Sequence, residues 1–170
     1  MKKLSTLVIH PDDRSTDFLK KIYEGKDWTI INDHDACRSR KVITNLIKKH
    51  DRIVMMGHGC PSGLFWTCID PDMVYLLREK EIISIWCHAN KFLEKYNLKG
   101  FSTSMFVSER GEGMYYGINA TQEQIDYSNN LFATELNKVI DNGNMFQLIK
   151  ESYNGNDPVI QFNNEGLLVF

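Results

Sequence analysis

Short apolar runs alternate along the chain with longer segments whose apolar residues recur every three or four positions. The short runs predict five strands, over residues 4–10, 28–31, 52–56, 82–86 and 101–107. The amphipathic segments predict helices over residues 15–23, 39–49, 89–96, 121–141 and 145–153, and another after Asp70-Pro71. Strands that alternate with helices are typical of a largely parallel sheet with helices on both faces.

The remaining stretches predict a short extended segment, a loop and one hairpin. Residues 64–69 fit a strand or a short hairpin arm, and three glycines within residues 109–117 indicate a loop. Residues 159–162 and 167–170, separated by Asn-Asn-Glu-Gly, predict a hairpin. No repeat or linker interrupts this pattern. We therefore expect a single α/β domain over residues 1–170, built as a three-layer sandwich around a mainly parallel sheet.

Composition narrows the classes of function. The formal net charge is −2 and no long Lys/Arg run is present, so a nucleic-acid partner is not indicated. No apolar segment is long enough to span a membrane, and the first apolar run stops at Ile9 before His10-Pro11, unlike a signal peptide. The four cysteines have no CxxC spacing, which is typical of reduced thiols. We expect a cytoplasmic protein.

Two strands end on side chains that could react together. The run at residues 52–56 is followed by Gly57-His58-Gly59, and the run at residues 82–86 is followed by Cys87. Right-handed crossovers bring the carboxyl ends of parallel strands to one edge, where α/β sheets hold their ligands. A thiol becomes a nucleophile when a base takes its proton, and histidine has a suitable pKa for that role. The pattern therefore predicts a Cys87/His58 pair.

Neighbouring residues would complete such a site. The backbone N–H of Gly59 and that of Cys87 could stabilise an oxyanion, while Gly63 would relieve crowding in the loop. The same sheet edge would also receive the residues that follow the first and fifth strands. We expect these to line the cleft: His10, Asp12 and Glu109.

The spacing His58-Gly59-x-x-x-Gly63 after one strand, with Cys87 closing the next, resembles the caspase–gingipain–legumain group of cysteine peptidases. That group has a His-Gly dipeptide after its third strand and a nucleophilic cysteine after its fourth. The resemblance covers roughly residues 4–107. It implies a six-stranded sheet in the order 2-1-3-4-5-6, a peptide or protein substrate, no cofactor, and hydrolysis through a thioester on Cys87 with His58 as base.

Departures from that pattern leave a second interpretation open. Trp86 stands before the cysteine, where the group usually has a small residue. His88, Ala89 and Asn90 follow it, where a glycine is usual. The chain could therefore be a catalytically degenerate relative that binds a peptide or a partner.

A different motif follows the first strand. His10-Pro11-Asp12-Asp13 resembles the signature of zinc-dependent N-acetylglucosamine deacetylases, in which the histidine and one aspartate hold zinc and the other aspartate is the base. A catalytic zinc needs three protein ligands, and no third ligand is recognisable here. Arg14 also replaces the glutamate of that signature. A strand end and a helix cap explain the motif without metal, so we expect no metal site and keep the zinc deacetylase as a third interpretation, after the two above.

Overall fold

The computed structural model of the chain describes residues 4–65 and 68–170. Within them the strands are β1 (Thr6–Ile9), β2 (Thr29–Ile31), β3 (Arg52–Met56), β4 (Gly59–Cys60), β5 (Gly63–Leu64), β6 (Glu81–Ile85), β7 (Gly100–Thr103) and β8 (Leu167–Val169). The α-helices are α1 (His34–Arg38), α2 (Arg40–Lys49), α3 (Val74–Leu77), α4 (Ala89–Lys95), α5 (Arg110–Tyr115), α6 (Gln122–Val139), α7 (Met145–Ser152) and α8 (Pro158–Glu165). Two 3-10 helices cover Arg14–Ile22, called the first 3-10 helix below, and Pro71–Met73.

A six-stranded sheet runs through the centre of the fold in the order β2-β1-β3-β6-β7-β8. The first five strands of that order are parallel, and β8 is antiparallel to β7. The predicted α/β class and the mainly parallel sheet are therefore confirmed. The order reads 2-1-3-6-7-8 rather than the expected 2-1-3-4-5-6, because β4 and β5 form a separate hairpin between β3 and its sheet neighbour β6.

Helices cover both faces of this sheet. Side chains of a strand point alternately to opposite faces, and on β1 Leu7 and Ile9 join one apolar cluster while Val8 joins the other. The first cluster includes residues of α2, α3 and α4. The second includes residues of the first 3-10 helix, α6 and α7. The fold therefore has the three layers that the alternating pattern predicts.

The segment 159–162 is wrong as a predicted hairpin arm, because it lies within helix α8. The Asp157 carboxylate accepts a hydrogen bond from Val159 N at 2.8 Å, and Pro158 occupies the first turn. An aspartate cap followed by proline starts a helix and outweighs the short apolar run. Only residues 167–169 of the predicted hairpin form a strand, and this strand pairs with β7.

Two predictions around the fifth sheet strand are also corrected. Residues 109–117 contain α5 instead of a loop, because the Glu112 carboxylate accepts from Glu109 N at 3.1 Å and closes the first turn. Strand β7 ends at Thr103, so residues 104–107 leave the sheet. Asn163 anchors them: its Nδ2 donates to Val107 O at 2.9 Å and its Oδ1 accepts from Val107 N at 2.7 Å.

The predicted extended segment 64–69 overlaps the hairpin β4–β5. Leu64 of β5 forms an isolated bridge with Ile69, so part of the predicted segment 64–69 is extended. Trp66 and Thr67 in that segment, like Met1–Lys3, lie outside the described residues. No helix in the described parts of the chain has the length and apolar character needed to cross a membrane.

Candidate functional site

His58 and Cys87 stand at matching positions beyond adjacent strands. Met56 of β3 pairs with Ile85 of β6, so each of the two residues lies two positions past the paired end of its strand. Both line one cavity of about 20 Å³ at the carboxyl edge of the sheet. A cavity of that size holds about one water molecule. The two residues therefore lie together at the edge where parallel sheets hold ligands.

Cys87 sits on a sharp turn from strand to helix. β6 ends at Ile85 and α4 begins at Ala89, and between them His88 adopts the left-handed conformation, with φ 67° and ψ 27°. That conformation is unfavourable for a residue with a side chain. Backbone bonds hold it in place, from His88 N to Ser104 O and from Ala89 N to Trp86 O, each 3.1 Å. Sharp turns of this kind present nucleophiles above the sheet in α/β hydrolases.

The thiol of Cys87 is neutral at rest. Its Sγ donates a hydrogen bond to Phe106 O at 3.7 Å. Within the described residues, the thiol has no hydrogen bond to His58. Burial raises the pKa of the thiol to about 11, and the negative charge of Glu112 adds to the rise. Since the thiolate is the reactive form, this cysteine needs a base to react near neutral pH.

His58 is half-exposed and bonded to the segment that follows β1. Its Nε2 lies 2.6 Å from Ser15 Oγ, and Ser15 Oγ lies 2.5 Å from Asp13 Oδ1. The same carboxylate accepts from Ser15 N at 2.9 Å and caps the first 3-10 helix. The hydrogen bonds from Ser15 hold the pKa of Asp13 below its ordinary value. Sequence reasoning treats Asp13 as a cap and misses Ser15, although Asp-x-Ser at the start of the helix that follows β1 is a usable signal.

Trp86 joins the cysteine turn to the histidine loop. Its Nε1 donates to Cys60 O at 3.0 Å. A Cβ atom on Gly59 would lie 2.3 Å from Trp86 Cδ1 and 2.7 Å from Gly63 O, so only glycine fits there. The large residue before the cysteine thus packs on the hairpin β4–β5 and fixes His58 relative to Cys87.

Gly63 has a purely conformational reason to be glycine. Its φ is 147°, and a Cβ atom would lie 1.9 Å from Ile69 O. Positive φ and close backbone approach both favour glycine. Gly63 therefore shapes the hairpin that follows His58.

His10 is buried and does not line the cleft, contrary to the sequence-based expectation. Its Nδ1 lies 3.0 Å from Tyr23 Oη and its Nε2 3.0 Å from Thr16 Oγ1. Burial, helped by the charge of Lys20, lowers its pKa to about 4. Asp12 is exposed and pairs with Lys20 at 2.7 Å. With both imidazole nitrogens bonded to the protein, His10 has none left for a metal.

The metal alternative also lacks a ligand cluster. Among residues 4–65 and 68–170, no group of three or more His, Cys, Asp or Glu side chains is arranged to hold a metal ion. The His-Pro-Asp-Asp motif instead ends β1 and caps the first 3-10 helix at Asp13.

A larger open cleft of about 340 Å³ adjoins the small cavity and shares Phe18 and Ser108 with it. Its wall includes Glu109, which does not line the cavity shared by His58 and Cys87. Polar side chains that sequence reasoning did not single out also line the larger cleft: Arg14, Ser15, Gln122, Asp126 and Asn130. A third pocket, of about 230 Å³ and mostly apolar, is lined by His58, Gly59, Cys60 and Phe65. His58 therefore lines two pockets, the small cavity that it shares with Cys87 and the apolar pocket.

The arrangement offers a thiol, a neighbouring imidazole and an open cleft that could hold a chain of residues. No protein-family model, curated protein or solved structure matches the chain. The chemistry of this site is therefore the basis on which a function can be argued.

Proposed function

We propose that the chain is a caspase-like cysteine hydrolase that cleaves peptide bonds, with Cys87 as the nucleophile and His58 as the general base. The observation that carries the proposal is the matched position of the two residues past Met56 and Ile85, at one cavity. The left-handed turn at His88 and the helices on both faces of the sheet support the same assignment.

The first step must couple proton transfer to attack. The Cys87 thiol carries its proton near neutral pH because burial raises its pKa to about 11. His58 accepts this proton as Sγ forms a bond to the carbonyl carbon, and the carbonyl π electrons move to oxygen. For this, the thiol exchanges its bond to Phe106 O for one to the imidazole. The N–H groups of Cys87 and Gly59 are the proposed donors to the oxyanion.

The second step releases the amine and restores the enzyme. The C–N bond breaks, the amine leaves with the proton held by His58, and a thioester to Cys87 remains. Water then attacks the thioester carbonyl and gives a proton to His58. The C–S bond breaks, the acid leaves, and the Cys87 sulfur regains a proton from the imidazole.

The substrate would approach through the 340 Å³ cleft. The cavity between His58 and Cys87, about 20 Å³, is too small for more than the reacting group. Carboxamides at the cleft wall, on Gln122 and Asn130, can both donate and accept hydrogen bonds. That capacity suits the amide groups of an extended peptide, which is the substrate class we propose.

A second candidate is a degenerate relative that binds peptides without cleaving them. The bond from Cys87 Sγ to Phe106 O favours it, because the resting thiol is directed at a carbonyl instead of at the base. The zinc deacetylase alternative receives no support, since both nitrogens of His10 are bonded to protein side chains.

A panel of fluorogenic peptides, with the residue before the cleaved bond varied, tests the proposal. We expect cleavage that survives EDTA and the control Cys60→Ala and is absent in Cys87→Ala. A parallel assay measures deacetylation of N-acetylglucosamine oligomers. EDTA-sensitive deacetylation that persists in Cys87→Ala would overturn the proposal. Peptide binding without cleavage, unchanged by Cys87→Ala, would support the degenerate relative instead.

A further inference from the structure

Asp13, Ser15 and His58 form a continuous chain of hydrogen bonds at the edge of the site. Ser15 Oγ lies 2.5 Å from Asp13 Oδ1 and 2.6 Å from His58 Nε2. The direct separation between His58 Nε2 and Asp13 Oδ1 is 3.6 Å, too long for a hydrogen bond. Ser15 is therefore the bridge between the carboxylate and the imidazole.

The protons of this chain can run in only one direction. Asp13 is ionised near neutral pH, since the bonds from Ser15 lower its pKa, and an ionised carboxylate only accepts. The hydroxyl of Ser15 has one proton, and it donates this proton to Asp13. Towards His58, Ser15 Oγ can then act only as an acceptor. Nε2 of His58 must be the donor.

We propose that Ser15 and Asp13 are positioning residues, which hold the neutral His58 imidazole in the tautomer with its proton on Nε2 and leave Nδ1 as the basic nitrogen. Nδ1 has no hydrogen-bond partner within the described parts of the chain. The role of Nδ1 as the base rests on the proposed function. The assignment of the tautomer does not rest on the proposed function, because it follows from the hydrogen bonds between the side chains of Asp13, Ser15 and His58.

The fold holds Ser15 in the position that its hydrogen bonds to Asp13 and His58 require. The next residue, Thr16, is buried, and its Oγ1 lies 3.0 Å from His10 Nε2 in the core. The Asp13 carboxylate also fixes the backbone of Ser15, through the bond from Ser15 N at 2.9 Å. The hydroxyl of Ser15 is thus held from both sides before His58 approaches it.

Other ionisable groups near His58 do not compete for Nε2. Across the shared cavity, Cys87 is neutral and bonded to Phe106 O. Glu112, which also lines that cavity, is engaged by Ser108, since its Oε2 accepts from Ser108 N at 2.8 Å and from Ser108 Oγ at 3.2 Å. Within residues 4–65 and 68–170, Ser15 alone forms a hydrogen bond to Nε2.

Long-range ¹H–¹⁵N correlation spectra of the ¹⁵N-labelled full chain test the tautomer directly. His58→Gln removes one set of ring signals and so assigns it. We expect neutral His58 in the wild type to show a protonated Nε2 and an unprotonated Nδ1. A wild-type spectrum with the proton on Nδ1 would overturn the inference, and this outcome needs no variant that must fold.

Variants at Ser15 then test the cause. We expect Ser15→Ala to mix the two tautomers of His58, while Ser15→Thr, which keeps a hydroxyl, restores the pure Nε2–H form. Ser39→Ala is the control, because the Ser39 side chain accepts from Val42 N at the start of α2 and takes no part in the hydrogen bonds of Asp13, Ser15 and His58. Unchanged His58 signals in Ser15→Ala, with the other histidine signals also unchanged, would contradict the role of Ser15.

A rate measurement separates this inference from the proposed function. If Nδ1 is the base, Ser15→Ala should slow alkylation of Cys87 by about tenfold, less than the roughly 100-fold or more for loss of the base itself. Loss of the pure tautomer with no change in alkylation would sustain the positioning of the imidazole and count against the Cys87/His58 hydrolase. Slower alkylation with an unchanged tautomer would support the Cys87/His58 hydrolase and count against the positioning of the imidazole by Ser15.

Discussion

His10 and His58 follow neighbouring parallel strands of the same sheet, yet their surroundings differ completely. His10 follows β1, is buried, and has both nitrogens bonded to Tyr23 and Thr16. His58 follows β3, has a side chain 45% exposed, and forms its hydrogen bond to the described residues through Nε2 alone. The comparison shows that a polar residue at the carboxyl edge is not sufficient for a site. Free hydrogen-bonding capacity beside a cavity distinguishes the position at which we propose a function.

The chain after each strand explains the contrast. Beyond β1, Pro11 and the Asp13 cap start the first 3-10 helix at once, and that helix brings Thr16 and Tyr23 over His10. Beyond β3, Gly57 has φ 135°, a conformation that glycine adopts without strain. The chain there turns outward into the hairpin β4–β5. The connection after β1 therefore buries His10, whereas the connection after β3 leaves His58 half-exposed.

The largest expected effect is on catalysis, and it separates the two histidines. We expect His58→Ala to lower kcat/KM for a cleaved peptide by about 100-fold to 10,000-fold, the usual contribution of a general base. The thermal unfolding midpoint should change little, because the side chain is half-exposed. Retention of most of the activity by His58→Ala would place the base elsewhere. Measurement of both quantities on the same sample excludes misfolding as the cause.

His10 should instead control the pH dependence of stability. Its pKa is about 4 in the folded chain against 6.5 for an ordinary histidine, so the unfolded chain binds the proton more tightly between those pH values. The free energy of unfolding therefore falls as the pH drops from 6.5 to 4, by about 3 kcal/mol from this group. Above pH 6.5 the contribution is complete.

Urea unfolding across that pH range measures this effect. We expect the free energy of unfolding of His10→Gln to depend much less on pH between 6.5 and 4 than that of the wild type. The control His58→Gln should keep the wild-type pH dependence. An equal slope in the wild type and in His10→Gln would show that other groups dominate the pH dependence.

Gly59→Ala should damage the histidine loop by a smaller amount. The added Cβ would meet Trp86 and Gly63 O at 2.3 and 2.7 Å, and overpacking of this kind costs roughly 1–3 kcal/mol. We expect lower activity as well, because the loop carries His58. The control Gly111→Ala has open space around its Cβ and should leave both quantities unchanged. Wild-type stability in Gly59→Ala would remove the role we assign to Trp86.

The smallest effect is expected at Asp12. This residue is exposed and paired with Lys20 on the surface, and such pairs contribute little. Asp12→Asn should therefore leave both peptide cleavage and thermal unfolding unchanged within error. A metal-dependent enzyme using the His-Pro-Asp-Asp motif would lose its activity in this variant, so the result sharpens the contrast between the ends of β1 and β3.

The sequence predicted the regular elements with strong periodicity. The apolar runs of β1, β3 and β6 and the amphipathic α2, α6 and α7 are found where expected. Helix α8 was missed, because Val159, Ile160 and Phe162 read equally well as a short strand. The capping bond from Asp157 decides between the two, and such a bond cannot be read from apolar spacing.

The site could be predicted only in part, for a similar reason. His58 and Cys87 follow from the rule that ligands gather at carboxyl strand ends. Ser15 lies 43 residues from His58 in sequence, and the contact between them depends on how the first 3-10 helix packs. The burial of His10 likewise depends on Tyr23, 13 residues away. Long-range packing of this kind leaves no periodic signal in the sequence.

The rate of Cys87 alkylation by iodoacetamide as a function of pH is the most direct test of the Cys87/His58 pair. With a pKa of about 11, an unassisted thiol is ionised to only about one part in 10,000 near pH 7, and its rate should rise about tenfold per pH unit. Peptide mapping follows Cys87 separately from Cys37 and Cys68, which are buried.

We expect Cys87 of the wild type to be modified near neutral pH faster than Cys37 or Cys68, and about 100-fold or more faster than Cys87 of His58→Ala. The His58→Ala profile should then follow the unassisted thiol. Identical pH profiles for Cys87 in the wild type and in His58→Ala would contradict the pairing of nucleophile and base.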